Sequence, residues 1–126
     1  LVATSSMRQV CEKAADLLSE DGISAEIIDP RTIVPLDETT ILSSVKKTSR
    51  AIVVDEGHQS YGVAAEIASI ISEKAFYHLD APVIRMGAMD VPVPFSPVLE
   101  DLTVPTPELV AQNARKIVFG EMIHGL

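Results

Sequence analysis

Four consecutive apolar residues, Ala51-Ile52-Val53-Val54, run straight into the polar stretch Asp55-Glu56-Gly57-His58. A strand that is apolar on every residue has both faces buried, which marks a sheet covered on two sides. A chain with such a strand must supply covering helices, and this one alternates strand and helix patterns along its length. Alternation with short loops implies parallel strands joined by right-handed crossovers. The expected class is α/β, a three-layer α/β/α sandwich around a mainly parallel sheet.

The elements follow from periodicity and caps. Leu1–Thr4 reads as a short strand end. Ser6 opens a helix, with Gln9 three residues on as its capping-box partner. Met7, Val10, Cys11, Ala14, Leu17 and Leu18 share one face of that helix, and Gly22 stops it. Ile23–Asp29 is the second strand, ended by Pro30, and Arg31–Pro35 is a tight loop. Asp37 caps a helix that turns Ile41, Leu42 and Val45 inward, with Lys46, Lys47 and Arg50 near its negative end. Ala51–Val54 is the third strand, and Asp55–His58 reads as a loop. A helix over Tyr61–Phe76 follows, with Ile67, Ile70 and Ile71 inward and Ala64, Ala65 and Ala68 allowing close approach. Pro82–Met86 is the fourth strand. Five of the eight prolines then fall between Pro92 and Pro107. That stretch reads as an ordered extended loop, and its Val91, Val93, Phe95, Val98 and Leu99 imply that it packs on something. Thr106-Pro107-Glu108 starts a last helix with cap, proline and first-turn acid. Leu109, Val110, Ala114, Ile117 and Val118 make its buried stripe, and Gly120 ends it. One domain over 1–119 and a tail over 120–126 are expected.

Composition limits the function. With 47% hydrophobic and 22% charged residues in 126, the chain is globular. Eighteen acids against ten bases give a net charge of −8. No basic stripe offers a nucleic-acid footprint. No apolar run nears the roughly 20 residues of a membrane span, and no charged n-region marks a signal peptide. Cys11 is the one cysteine, which excludes an internal disulfide and fits a reducing compartment. The chain starts at Leu1 on a strand, which reads as a piece of a longer protein.

Known catalytic patterns fail one by one. In open α/β sheets ligands bind beyond the carboxyl ends of the strands. Those ends carry Thr4-Ser5-Ser6, Asp29, Asp55-Glu56-Gly57-His58 and Gly87–Asp90. Ser5-Ser6 at a helix start suits an anion, but capping alone explains both serines. Gly57 and Gly62 have phosphate-loop spacing, yet Val63-Ala64 stand where Lys and Ser or Thr are needed. Ser60 is one residue out of register for a nucleophile elbow. His58, His78 and His124 form no i, i+4 pair. Asp55-Glu56 as a metal or acid–base pair competes with simple solvation or pairing to Arg31 or Arg85. Cys11 on an apolar face reads as core. What remains is a scaffold that holds or docks other parts.

Five segments together resemble one family. They are Ile28-Asp29-Pro30-Arg31-Thr32-Ile33-Val34-Pro35-Leu36-Asp37, Val54-Asp55-Glu56-Gly57-His58, Gly62-Val63-Ala64-Ala65-Glu66-Ile67, Leu79-Asp80-Ala81-Pro82-Val83-Ile84-Arg85 and Val91-Pro92-Val93-Pro94-Phe95-Ser96. In this order they resemble the C-terminal domain of the beta subunit of thiamine-dependent 2-oxo acid dehydrogenases: pyruvate, branched-chain and acetoin dehydrogenases. The likeness runs from Leu1 to about Val118.

The resemblance implies a transketolase C-terminal-like fold with about four parallel strands in the order 2-1-3-4. It implies an intact enzyme that decarboxylates a 2-oxo acid on thiamine diphosphate with Mg and acylates the lipoyl group of an acyltransferase core. The cofactor and the catalytic residues of that family lie outside this segment, so none is carried over. The implied partners are an alpha subunit and a second beta subunit in a heterotetramer, and the subunit-binding domain of the acyltransferase. The acid of the family's L-D/E-A-P motif pairs with a base of that domain; here it is Asp80. Val93, Phe95 and Leu99 would face a neighbouring subunit, and a homodimer of the fragment is a further expectation. The implied compartment is the bacterial cytoplasm or the mitochondrial matrix. Two alternatives stay open: a transketolase or deoxyxylulose-phosphate synthase domain, and a free-standing α/β binding module using the Ser5-Ser6 helix start.

Overall fold

The computed structural model describes residues 1–92 and 95–120. Three parallel strands form the sheet: β1 (Val2–Ala3), β2 (Ile52–His58) and β3 (Ile84–Ala88), in the order β1-β2-β3. Successive side chains on a strand point to opposite faces, and the core divides accordingly. Ala3, Ile52, Val54, Ile84 and Met86 face α1 (Met7–Ser19) and α5 (Pro107–Phe119). Val2 and Val53 face α2 (Glu38–Thr48) and α3 (Val63–Lys74). The three-layer α/β/α class expected from the central apolar strand is therefore present.

The strand count is not four. The segment expected as the second strand, Ile23–Asp29, makes a single parallel bridge, Val2 with Ile28. It lies on the outer side of β1, held by Ala3 N–H to Ile28 O at 2.9 Å and Ile28 N–H to Leu1 O at 2.8 Å. A two-residue β1 offers too short a ladder for a full partner strand. The outer position agrees with the expected order, while the regular sheet has three members.

Other boundaries also differ from the sequence reading, and the strand expected over Pro82–Met86 runs instead over Ile84–Ala88, because pairing with β2 begins at Ile84. β2 does not stop at Val54 but continues through the polar residues to His58. It pairs with β3 as far as Ala88, across a register shift between Val54 and His58. Backbone pairing, not side-chain polarity, extends it. The helix expected over Tyr61–Phe76 is shorter, Val63–Lys74, and a separate 3-10 turn covers Phe76–His78. The proline-rich loop contains a one-turn helix, α4 (Pro97–Asp101).

Two caps formed as expected because their chemistry is local. Asp37 accepts from the Thr40 N–H at 3.1 Å and from its hydroxyl at 2.6 Å. Thr106 accepts from Leu109 N–H at 3.2 Å, with Pro107 in the first turn and Gly120 left-handed beyond the end. In α5, Val110, Ala114 and Ile117 are buried, whereas Leu109 is exposed.

Candidate functional site

The carboxyl ends of the strands bring Thr4, Ser5, Ser6, Asp29, Asp55 and Glu56 together. β1 ends at Ala3, and the chain turns into α1 through Ser5 at φ 51. Asp55 and Glu56 are consecutive on β2, so their side chains leave on opposite faces. Asp55 is buried and accepts a short bond from the Thr4 hydroxyl. Glu56 is exposed and accepts from Ser6 Oγ at 2.7 Å. The Ser6 hydroxyl, with help from Ser5, holds the Glu56 carboxyl below its ordinary value.

That contact corrects the expected capping box. Ser6 does stand before α1, but its side chain makes no cap bond to the helix. Its hydroxyl goes instead to a residue fifty positions away. Nor do Asp55 and Glu56 form a carboxylate pair or pair with Arg31 or Arg85. Arg31 reaches Asp29 at 3.3 Å, Arg8 reaches the same carboxylate at 3.6 Å, and Arg85 donates to the Gln59 carbonyl. An open crevice of about 500 Å³ lies between these groups, lined by Thr4, Ser5, Arg8, Asp29, Arg31 and Asp55 among others.

Glycine is required here by close approach. A Cβ on Gly62 would sit 2.3 Å from the His58 carbonyl oxygen. One on Gly87 would sit 2.7 Å from the Gly57 carbonyl and 2.8 Å from the Gln59 backbone. Gly57 and Gly62 thus serve the strand end and the start of α3, not a phosphate loop.

Ser60 donates to Asp90 Oδ2 at 2.5 Å, and its amide donates to Oδ1 at 3.3 Å. These two bonds, the hydroxyl first, lower the Asp90 pKa. His58 Nδ1 donates to the Met89 carbonyl at 3.0 Å and lies 3.9 Å from Asp90. The acid, not the imidazole, holds the serine, so the order of groups is wrong for a nucleophile activated by histidine. Burial pushes the Cys11 thiol up to about 11 and keeps it in the core. His124 lies outside the described residues.

At the opposite end of the sheet, Asp80 stands four residues before β3. Its amide donates to Ser49 O at 2.8 Å, and its carboxylate lies 3.9 Å from Arg50. The carboxylate is 63% exposed. Phe95 and Leu99 are exposed beside α4's turn, while Val93 lies outside the described residues. The loop's composition points to these apolar residues, whereas the exposed pair Phe76 and Tyr77, directly before His78-Leu79-Asp80, carries no sequence motif of its own.

A solved split-gene transketolase, described as an inactive beta4 tetramer, superposes with a TM-score of 0.78 at 24% identity, over 96% of this chain and 38% of that one. The likeness carries the fold. The family described as transketolase, C-terminal domain, matches residues 1–110, and the chain belongs to it. Its relatives include the beta subunit of the acetoin:2,6-dichlorophenolindophenol oxidoreductase of Bacillus subtilis, 49% identical over 78% of this chain and 29% of that protein. The pyruvate dehydrogenase E1 beta subunit of Acholeplasma laidlawii is 47% identical over 93% of the chain and 36% of its own length. The mitochondrial beta-1 subunit of Arabidopsis thaliana is 44% identical over 94% and 33%. The chain spans about a third of the length of these relatives.

Proposed function

We propose that this chain is the assembly and docking domain of the beta subunit of a 2-oxo acid dehydrogenase of the pyruvate dehydrogenase kind. The observation that carries this is the 44–47% identity to pyruvate dehydrogenase beta subunits over more than nine tenths of the chain. The same relatives favour this reading over a sugar-phosphate enzyme or a free-standing binding module. The whole enzyme would decarboxylate a 2-oxo acid on thiamine diphosphate and pass the acyl group to a lipoyl acyltransferase. Relatives named as mitochondrial and relatives from bacteria support a matrix or cytoplasmic setting. No helix among the described residues is long and apolar enough to cross a membrane.

In this reading thiamine diphosphate and its Mg are held by the rest of the whole enzyme. Among the described residues no group of three or more His, Cys, Asp or Glu could hold a metal, and the carboxylates at the strand ends are bonded to Thr4 and Ser6. The domain's part is mechanical. Asp80 presents an exposed carboxylate to a base of the acyltransferase's subunit-binding domain, a charge-assisted contact. The net charge of −8 speeds encounter with such a basic module. Phe95 and Leu99, with Val93 between Pro92 and Pro94, would cover a neighbouring alpha or beta subunit; exposure of the first two supports this.

Calorimetric titration of the chain with a recombinant subunit-binding domain tests the docking role. Binding that weakens at least tenfold in Asp80→Asn is the expected result. Absence of binding by the unsubstituted chain would sink the docking role, and 2-oxo acid turnover by the chain alone would overturn its assignment as non-catalytic.

A further inference from the structure

The stretch Phe76–Asp80 presents two aromatic rings and a carboxylate to solvent within five residues. Phe76 is 65% and Tyr77 97% exposed. Their rings meet edge to face, with centroids 5.4 Å apart and planes at 80°. The turn is fixed from within: His78 N–H donates to Ala75 O at 2.9 Å, Leu79 N–H to Phe76 O at 3.2 Å, and Asp80 N–H to Ser49 O at 2.8 Å. These bonds order the backbone from which the two rings project. Leu79 is tucked against the core layer of α2 and α3, so the stretch is anchored while its neighbours face outward.

Exposed aromatics in one turn with an acid have a definite chemical preference. An acid alone attracts any cation. An aromatic face adds attraction for Arg or Lys and a surface for their aliphatic stems. Tyrosine and phenylalanine are also the residues that anchor interfaces. Arg50 does not fill this role from within the chain: its Nε is committed to Ile117 O at 3.1 Å, and its contact with Asp80 is beyond hydrogen-bond length.

We infer that Phe76 and Tyr77 form the apolar anchor of the Asp80 docking face, and that its occupant is a basic protein module that lays an Arg or Lys side chain across the rings while pairing with Asp80. This rests on the docking role proposed above and adds the residues that give the contact its hold. The commitment to a basic occupant follows from the exposed Asp80 carboxylate and the two uncovered rings carried by the same turn.

The test titrates a recombinant subunit-binding domain of a lipoyl acyltransferase, as the basic probe, into the full chain. The variants are Phe76→Ala, Tyr77→Ala, Tyr77→Leu and Asp80→Asn, each checked for native circular dichroism. Tyr77→Leu keeps apolar bulk and removes the ring's negative face. A tenfold or greater loss in Tyr77→Ala and Phe76→Ala, with most of it retained in Tyr77→Leu, supports the inference. If Asp80→Asn weakens binding while the aromatic variants change it less than twofold, the docking role stands and the aromatic anchor is wrong. If the unsubstituted chain does not bind, the docking role fails and the anchor with it. Light scattering of the chain alone covers the remaining occupant: a homodimer that dissociates in Tyr77→Ala would assign the rings to a second copy and overturn the inference.

Discussion

The two ends of the sheet use their charged groups in opposite ways. At the carboxyl end, Asp55 and Glu56 each accept from a hydroxyl of the β1–α1 turn, and Gly62 and Gly87 admit backbone within contact distance. At the amino end, Asp80 projects into water with a single long contact to Arg50, beside two uncovered rings. The first end ties these carboxylates to its own hydroxyls, and the second leaves its carboxylate uncovered. A fold class that ordinarily places ligands at the first end here ties up two of that end's carboxylates internally, which moves interest to the other.

The contrast yields graded expectations. Gly62→Ala should be the most damaging, because its Cβ would meet a backbone oxygen that cannot step aside. A loss of about 3 kcal/mol is expected in urea unfolding. A loss under 0.5 kcal/mol would mean that the strand end is looser than described.

Thr4→Val keeps shape and removes the donor to buried Asp55. It should cost about 1–3 kcal/mol, since a buried acceptor loses its partner. Equal stability of the variant would show that water reaches Asp55.

Ser6→Ala should cost about 0.5 kcal/mol or less at pH 7, because its bond to Glu56 is exposed to solvent. The Glu56 pKa is depressed in the folded state. Its contribution is therefore fully present above the unfolded value of about 4.5 and is lost as pH falls through the lower folded value. The stability gap between Ser6→Ala and the parent should close on acidification below that point. A gap independent of pH would assign the serine a different role.

Asp80→Asn should change stability least, within about 0.5 kcal/mol, as an exposed group with one long ion pair. A larger loss would make Asp80 a structural residue and blur the difference between the two ends.

How legible each feature was depended on how far apart its parts lie in the chain. The caps at Asp37 and Thr106 involve partners three residues away, and both formed as read. The cap at Ser6 had an equally good local pattern, and a carboxylate from β2 took the hydroxyl instead. The polarity of Asp55–His58 suggested a loop, because side chains carry the alternation that sequence reading uses. The extension of β2 rests on backbone pairing with β3, which side-chain type does not report. Resemblance singles out Asp80 and loop composition singles out Phe95 and Leu99, and all three side chains are exposed. Neither singles out Phe76 and Tyr77, since an aromatic pair near a helix end reads as core until its exposure is known.

The amino-acid order alone was enough to establish a covered parallel sheet, its helical layers and the family. Those depend on apolar periodicity and on short motifs, which any stretch of chain carries within itself. The ladder length beside β1, the partner of Ser6, the separation of Asp55 from Glu56 and the bareness of the Phe76–Asp80 turn came from the assembled fold. Each depends on which distant segment arrives at that place, and competition between a local and a distant partner is resolved only when both are present.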